Sequence, residues 1–234
     1  MLGLAVAAFS ALAATTSLTP FSGATDATPP APWRVVTAPK IERHTQYRIV
    51  VLDGARVLRA EADGSYANLL HPVTGNSASA ATLRWRWRVD TLIERADLRR
   101  KDGDDAAARV CALFDLPLDR LSTGDRMKLR LARLLFDRDL PAAAICYLWD
   151  SNTAQGTWLA NAYTDRVQML VLRQGNAGRW FDELRDLRAD FARAFPREAA
   201  SGVPQLAAMA VSSDADDTQS RALAYFGDIT LAAE

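Results

Sequence analysis

Past Pro32 the chain alternates apolar and polar residues over short runs. A strand sends successive side chains to opposite faces, so this period of two reads as half-buried strands. Candidate strands span residues 46–52, 56–62, 82–89, 106–114, 143–149, 166–173, 206–212 and 222–231. Asp53-Gly54, Asp63-Gly64, Gly75-Asn76 and Gly175-Asn176 fall among them, and such dipeptides favour tight turns. The pattern predicts an all-β fold, a jelly-roll-type sandwich. Two segments follow helical spacing instead. Residues 123–137 place Met127, Leu131, Leu134 and Leu135 on one side, and residues 186–195 do the same with Leu187, Phe191 and Phe195. Pro141 and Pro196 follow their ends, where a helix cannot continue. Both are expected as short helices packed against a single sandwich domain over 34–234.

The N-terminus has another character. Residues 2–14 are apolar and uncharged, and no Lys or Arg precedes them. A run of this kind followed by small residues is the core of a secretory signal, and it is short for a membrane-spanning helix. Small-x-small cleavage points lie after Ala13 and after Ala24. The expectation is a signal peptide over 1–24 and a Pro-rich linker over 25–33. The protein is then periplasmic or secreted, with no transmembrane helix in the mature chain.

Composition narrows the function classes. Lys and Arg number 28, and so do Asp and Glu, leaving no formal net charge. A nucleic-acid binder needs a cationic footprint, so nucleic acid is not expected as a partner. Lys occurs only at 40, 101 and 128, so nearly all the cationic charge is Arg, whose fork suits carboxylates. Cys111 and Cys146 fall mid-strand, where a free thiol packs as a small hydrophobe, and they are expected to be unpaired.

Alternation over 82–89 puts Leu83, Trp85, Trp87 and Val89 on one face and Arg84, Arg86 and Arg88 on the other. The Trp face is the core face. Asp105, Ala107, Arg109, Cys111 and Leu113 share a face of the 106–114 run. If the two strands are neighbours, Arg86, Asp105 and Arg109 form a shared cluster able to hold a saccharide carboxylate or hydroxyl pair. A structural ion-pair network is the alternative. Asp214, Asp216 and Asp217 offer clustered oxygens for calcium, or else an acidic turn whose side chains cap backbone amides.

Enzymatic patterns are thinner. Asp104 and Asp105 are adjacent on an expected strand and would point to opposite faces, so they are not expected as a hydrolase pair. His44, Tyr47, Tyr163 and Arg166 supply the residue types of a polysaccharide lyase. Neither Gly-x-Ser-x-Gly nor a Cys-Gly-Ser-Cys type of signature is present.

Runs at 39–47 (PKIERHTQY), 57–62 (VLRAEA), 83–89 (LRWRWRV), 96–114 (ADLRRKDGDDAAARVCALF), 140–149 (LPAAAICYLW), 161–166 (NAYTDR) and 214–231 (DADDTQSRALAYFGDITL) are distinctive together. With them the chain resembles a bacterial family, domain of unknown function 3047. The resemblance implies an exported bacterial protein. The family's last block usually reads Asp-x-Asp-Asn-Thr-Gly, whereas this chain has Asp217 and Gln219 in place of its Asn and Gly. The ending AYFGDITL is also similar to the last strand of galactose-binding-like jelly rolls, many of which bind carbohydrate. The functional expectation is a non-catalytic module for a saccharide or other cell-envelope ligand. A polysaccharide lyase or glycoside hydrolase is one alternative, and a structural cell-envelope protein is the other.

Overall fold

Alternating burial builds two seven-stranded sheets that face each other across an aromatic core. The structure, a computed structural model, describes residues 15–37, 41–121, 123–124, 126–127 and 142–232. Its strands are β1 (Thr15–Ser17), β2 (Arg34–Val36), β3 (Gln46–Leu52), β4 (Ala55–Asp63), β5 (Tyr66–Pro72), β6 (Thr82–Thr91) and β7 (Ala106–Phe114). They continue as β8 (Ala143–Asp150), β9 (Trp158–Asn161), β10 (Thr164–Gln174), β11 (Trp180–Asp186), β12 (Leu206–Asp214), β13 (Arg221–Phe226) and β14 (Thr230–Ala232). The first sheet runs β1-β14-β6-β13-β4-β3, with β11 on the other side of β6. The second runs β2-β5-β12-β7-β8-β10-β9. Neighbours are antiparallel except β8 and β10. The expected all-β sandwich is the observed fold.

The inward residues of the two central strands make the core. Leu83, Trp85, Trp87 and Val89 of β6 are all buried, as their alternation predicts. Trp85 lies 5.4 Å from Tyr147, and Trp87 lies 5.6 Å from Trp149, between ring centroids, so β6 and β8 interlock across the sheets. Most polar tips in this core have partners, Trp85 Nε1 being the buried exception. Trp87 Nε1 donates to Glu183 Oε1 at 2.9 Å, and Arg173 Nε donates to the same oxygen at 2.7 Å. Tyr147 donates to Asp190, which also accepts from Arg185.

The helix expected near 186–195 is α1 (Leu187–Ala194). Asp186 caps it by accepting from the Arg188 and Ala189 amides, and Phe191 anchors it at 4.7 Å from Phe114. A short helix α2 (Pro196–Ala199) follows, with Pro at its start. The segment 123–137 lies for the most part outside the described residues. Among the described residues no helix is long and apolar enough to cross a membrane.

Three expectations change. The run 222–231 splits into β13 and β14, because Gly227 N bonds Arg86 O at 2.9 Å and a Cβ at Gly227 would overlap the Arg86 side chain. Residues 15–33, expected as signal tail and linker, pack into the sandwich. Here β1 pairs with β14, Leu18, Phe21 and Trp33 are buried, and Trp33 Nε1 donates to Thr19 O at 2.8 Å. The cysteines are not free. Cys111 and Cys146 are register partners on β7 and β8, with Cα atoms 4.0 Å apart, and they form a disulfide. This bridge lies on the outer face of the second sheet, among Leu98, Leu148 and Met169.

Loss of this bridge releases a loop of 35 residues in the unfolded chain. Replacing both cysteines with Ala is expected to lower stability by about 2–4 kcal/mol, read by urea unfolding. Intact mass before reduction is expected to lie about 2 Da below the reduced mass. Equal masses would refute the bridge.

Candidate functional site

Among the described residues a dense cluster of charge sits where the entry to β7, the exit of β12 and the β9–β10 turn meet. Asp104 and Asp105 lie just ahead of β7 and follow a 3-10 turn at Lys101–Gly103. They are not on the strand, so the expectation that they diverge does not hold. Both are buried and both face this centre. Arg109 of β7 pairs in register with Ser212 of β12, and a bulge after Ser212 brings Asp214 alongside it. The guanidinium is 7% exposed and lies between two carboxylates: Nη1 is 3.2 Å from Asp214 Oδ2, and Nη2 is 3.2 Å from Asp104 Oδ1. Nη2 also donates to the Asp104 carbonyl at 2.5 Å.

Asp105 has a different task. It is fully buried, and its oxygens accept from the amides of Asp217 at 3.1 Å and Thr218 at 2.8 Å, and from the Thr218 hydroxyl at 2.5 Å. It therefore fixes the β12–β13 loop. Arg95 adds a hydrogen bond to the Thr218 carbonyl. Gln219 holds φ at +52°, in the left-handed region that glycine favours.

This scaffold presents a polar rim. Asp216 and Asp217 are half-buried. Tyr163, in the β9–β10 turn, is 56% exposed, and its hydroxyl donates to the Lys101 carbonyl at 2.9 Å and lies 3.2 Å from Asp217 Oδ1. Lys101 Nζ lies 5.2 Å from the centre of the Tyr163 ring. Asn161 donates to Asp104 and accepts from the Tyr163 amide, which joins the rim to the buried layer.

The electrostatics are those of carboxylates in excess. Among the described residues Asp104, Asp105, Asp214, Asp216 and Asp217 gather here, and the buried Arg109 interacts with Asp214, Asp104 and Asp105. Burial pushes the Asp214 carboxyl well up, and Arg109 only partly offsets this. Asp104 is raised for the same reason. Asp217 rises to about 6, through burial first and the Asp216 charge second. The Tyr163 hydroxyl rises to about 12, through desolvation and then Asp217. Asp214 Oδ1 is buried with no hydrogen-bond partner among the described residues.

The expected cluster of Arg86, Asp105 and Arg109 does not form. Arg86 is on β6 of the first sheet and Arg109 on β7 of the second, so the strands are not neighbours. Asp105 and Arg109 do share one centre. The expected cation set also changes membership. Asp214 is occupied by Arg109, and the third carboxylate beside Asp216 and Asp217 is Asp105, with one oxygen from each lying within 4.8 Å of the others. The lyase types have no partner in common. Tyr47 donates to Ala67 O, His44 touches Ile41 O, Arg166 pairs with Glu198, and Tyr163 faces Asp217.

Asp104, Asn161 and Lys101 were not singled out as ligand residues by pattern, and Tyr163 entered only as a lyase residue type. The signal that marks them is membership of the runs 96–114 and 161–166, which with 214–231 supply the whole centre. A family model with the description "Protein of unknown function (DUF3047)" matches residues 31–230. The chain belongs to this family. No curated protein matches it. Among solved structures it is similar to "Cellulose induced protein, Cip1" at 12% identity, over 86% of this chain and 91% of that one, with a TM-score of 0.35.

Arg109 and Arg86 separate by stability. Arg109→Met leaves buried Asp104 and Asp214 without their cation and is expected to cost about 3–5 kcal/mol. Arg86→Met removes no ion pair and is expected to cost about 1 kcal/mol or less. Thermal unfolding of the two variants gives the comparison, and equal losses would count against it.

Proposed function

We propose that this member of the DUF3047 family is an exported, non-catalytic saccharide-binding β-sandwich, with its ligand held at the carboxylate rim. The observation that carries the reading is the division of labour in the centre. Asp104, Asp105, Arg109 and Asp214 are buried and mutually engaged, while Asp216, Asp217 and Tyr163 stay accessible. Half-exposed carboxylates accept hydrogen bonds from neighbouring sugar hydroxyls, and charge-assisted bonds of this kind are the stronger ones. An exposed tyrosine ring gives the apolar face of a sugar a surface to stack on.

One observation supports export, and another chooses between the two cleavage points. The disulfide suits an oxidising compartment. Cleavage after Ala13 removes only the apolar run, whereas cleavage after Ala24 would strip β1 and the buried Phe21 from the sandwich. The mature chain is expected to begin at Ala14, read by intact mass of periplasmic protein. A start at Thr25 would contradict this.

A second reading rests on Asp105, Asp216 and Asp217, whose ligand oxygens are close enough to share a cation. Calcium prefers six to eight oxygens, which carboxylates, loop carbonyls and sugar hydroxyls together provide. A divalent ion would also neutralise part of the carboxylate excess.

Asp217→Asn and Tyr163→Ala are expected to weaken saccharide binding by at least about tenfold, the loss of one charge-assisted bond or one stacking face. A glycan array followed by calorimetry on its best hit is the test. Binding that ignores both substitutions would refute the site.

The pH dependence has a definite sign. Asp217 binds its proton more tightly in the folded chain, at about 6 against 3.8 for an ordinary Asp. Stability therefore falls as pH rises through that window, and Asp104 and Asp214 act in the same direction. In chelator the melting temperature is expected to fall between about pH 4 and 6, with a shallower fall in Asp217→Asn. Millimolar calcium at pH 7 should restore it. A melting temperature indifferent to calcium would exclude the cation reading.

A further inference from the structure

We infer that the outer face of the first sheet carries a separate oxyanion-binding site, in the groove lined by Arg56, Arg84 and Arg86. The groove is a shallow, open one of about 430 Å³ beside the β6–β11 pair. On the same face the neighbouring arginines are neutralised. Arg88 Nε is 2.6 Å from Asp90 Oδ1, and Arg59 is 2.8 Å from Glu61. Arg56, Arg84 and Arg86 have no ion pair among the described residues, and of the three acids on the same lining, Asp182, Glu183 and Asp228, Glu183 is held by Arg173 at 2.7 Å.

The placement of Arg86 is built by the fold. Asp182 is its register partner on β11, yet the two form no ion pair. The guanidinium lies instead over the Trp180 ring, 4.1 Å from its centroid. The ring is itself fixed, because Trp180 Nε1 donates to Asp53 Oδ2 at 2.8 Å. Below the stem, Gly227 is the residue that leaves room, since a Cβ there would overlap Arg86 Cγ. Stacking holds the fork, and Arg86 forms no ion pair among the described residues. The acid at the other side of the groove, Asp228, is already taken, accepting from the Ser22 amide at 2.9 Å and the Ser22 hydroxyl at 2.5 Å.

A fixed guanidinium flanked by two exposed ones matches a planar or tetrahedral oxyanion, which it can hold by paired N–H bonds. The volume exceeds that of a single small ion, and Leu184 is exposed at the lip. The structure therefore assigns the groove to an oxyanion substituent on a polyol, the chemistry of an acidic saccharide. Free phosphate offers the same oxygens without the polyol. This site shares no residue with the carboxylate rim and does not depend on it.

The test is calorimetry on the full mature chain at low salt with three probes: trigalacturonate, the same trisaccharide with its carboxyls reduced, and inorganic phosphate. Wild type is expected to bind trigalacturonate, and the reduced compound is not expected to compete for the groove. Arg84→Gln and Arg86→Gln should each weaken trigalacturonate by at least about tenfold while keeping the melting temperature. Asp182→Asn should tighten it by removing the nearest like charge. Phosphate binding with the same variant pattern would support the site and name free oxyanions as its ligand. Asp217→Asn and Tyr163→Ala should leave this binding intact, so failure of the rim and failure of the groove are distinguishable. Absence of binding by both anions, or binding indifferent to the Arg84 and Arg86 variants, would overturn the proposal.

Discussion

One buried guanidinium organises the end of the sandwich where the polar residues gather. Arg109 lies between Asp104 and Asp214, and each contact ties a different part of the chain to β7. Asp104 belongs to the excursion between β6 and β7, and Asp214 to the last turn of β12. Breaking a buried pair of this kind leaves an uncompensated charge, which costs far more than the loss of a surface pair. The constraint propagates outward. With Asp104 held, Asn161 and the Tyr163 turn are positioned against it. With β7 and β12 held in register, Asp105 reaches the amides of Asp217 and Thr218. The rim is thus a consequence of the buried layer beneath it.

The same excursion joins the site to the rest of the fold. Its Leu98 is fully buried against the outer face of the second sheet, beside Cys111 and Cys146. The disulfide crosses the β7–β8 pair two residues beyond Arg109. Covalent pairing, apolar cover and ion pairs therefore reinforce one strand. The first sheet contributes the opposite face of the core through Trp85 and Trp87, and its outer surface remains free for the arginine groove.

Alternation made the strands legible, because a half-buried strand must alternate. It placed β3 and β7 at their observed limits and put Trp85 and Trp87 on the core face. It also fixed which side Arg86 takes, but not which strand lies next to β6. Register and sheet order depend on contacts far apart in sequence, so Arg86 and Arg109 could be given faces and still be assigned to the wrong neighbours. The cysteines failed for the same reason: nothing local says that Cys111 faces Cys146. Strands β2 and β9 escaped notice because they are short edges with mixed patterns, and β11 because Asp182, Glu183 and Arg185 mask its period. Of the centre, Asp105, Arg109 and the acidic loop were visible as residue types. Asp104 was misjudged because strand alternation was extended back over Asp104 and Asp105, which lie in the turn ahead of β7.

The most direct test of this account is a double-mutant cycle between Arg109 and Asp214, measured by chemical unfolding. Arg109→Met and Asp214→Leu should each be strongly destabilising. The double variant should recover part of the Arg109→Met loss, with a coupling of about 2 kcal/mol or more, because Asp104 alone, and no longer Asp214 as well, is then left without its cation. Additive losses would show that Arg109 and Asp214 act independently, and would contradict the claim that this pair organises the site.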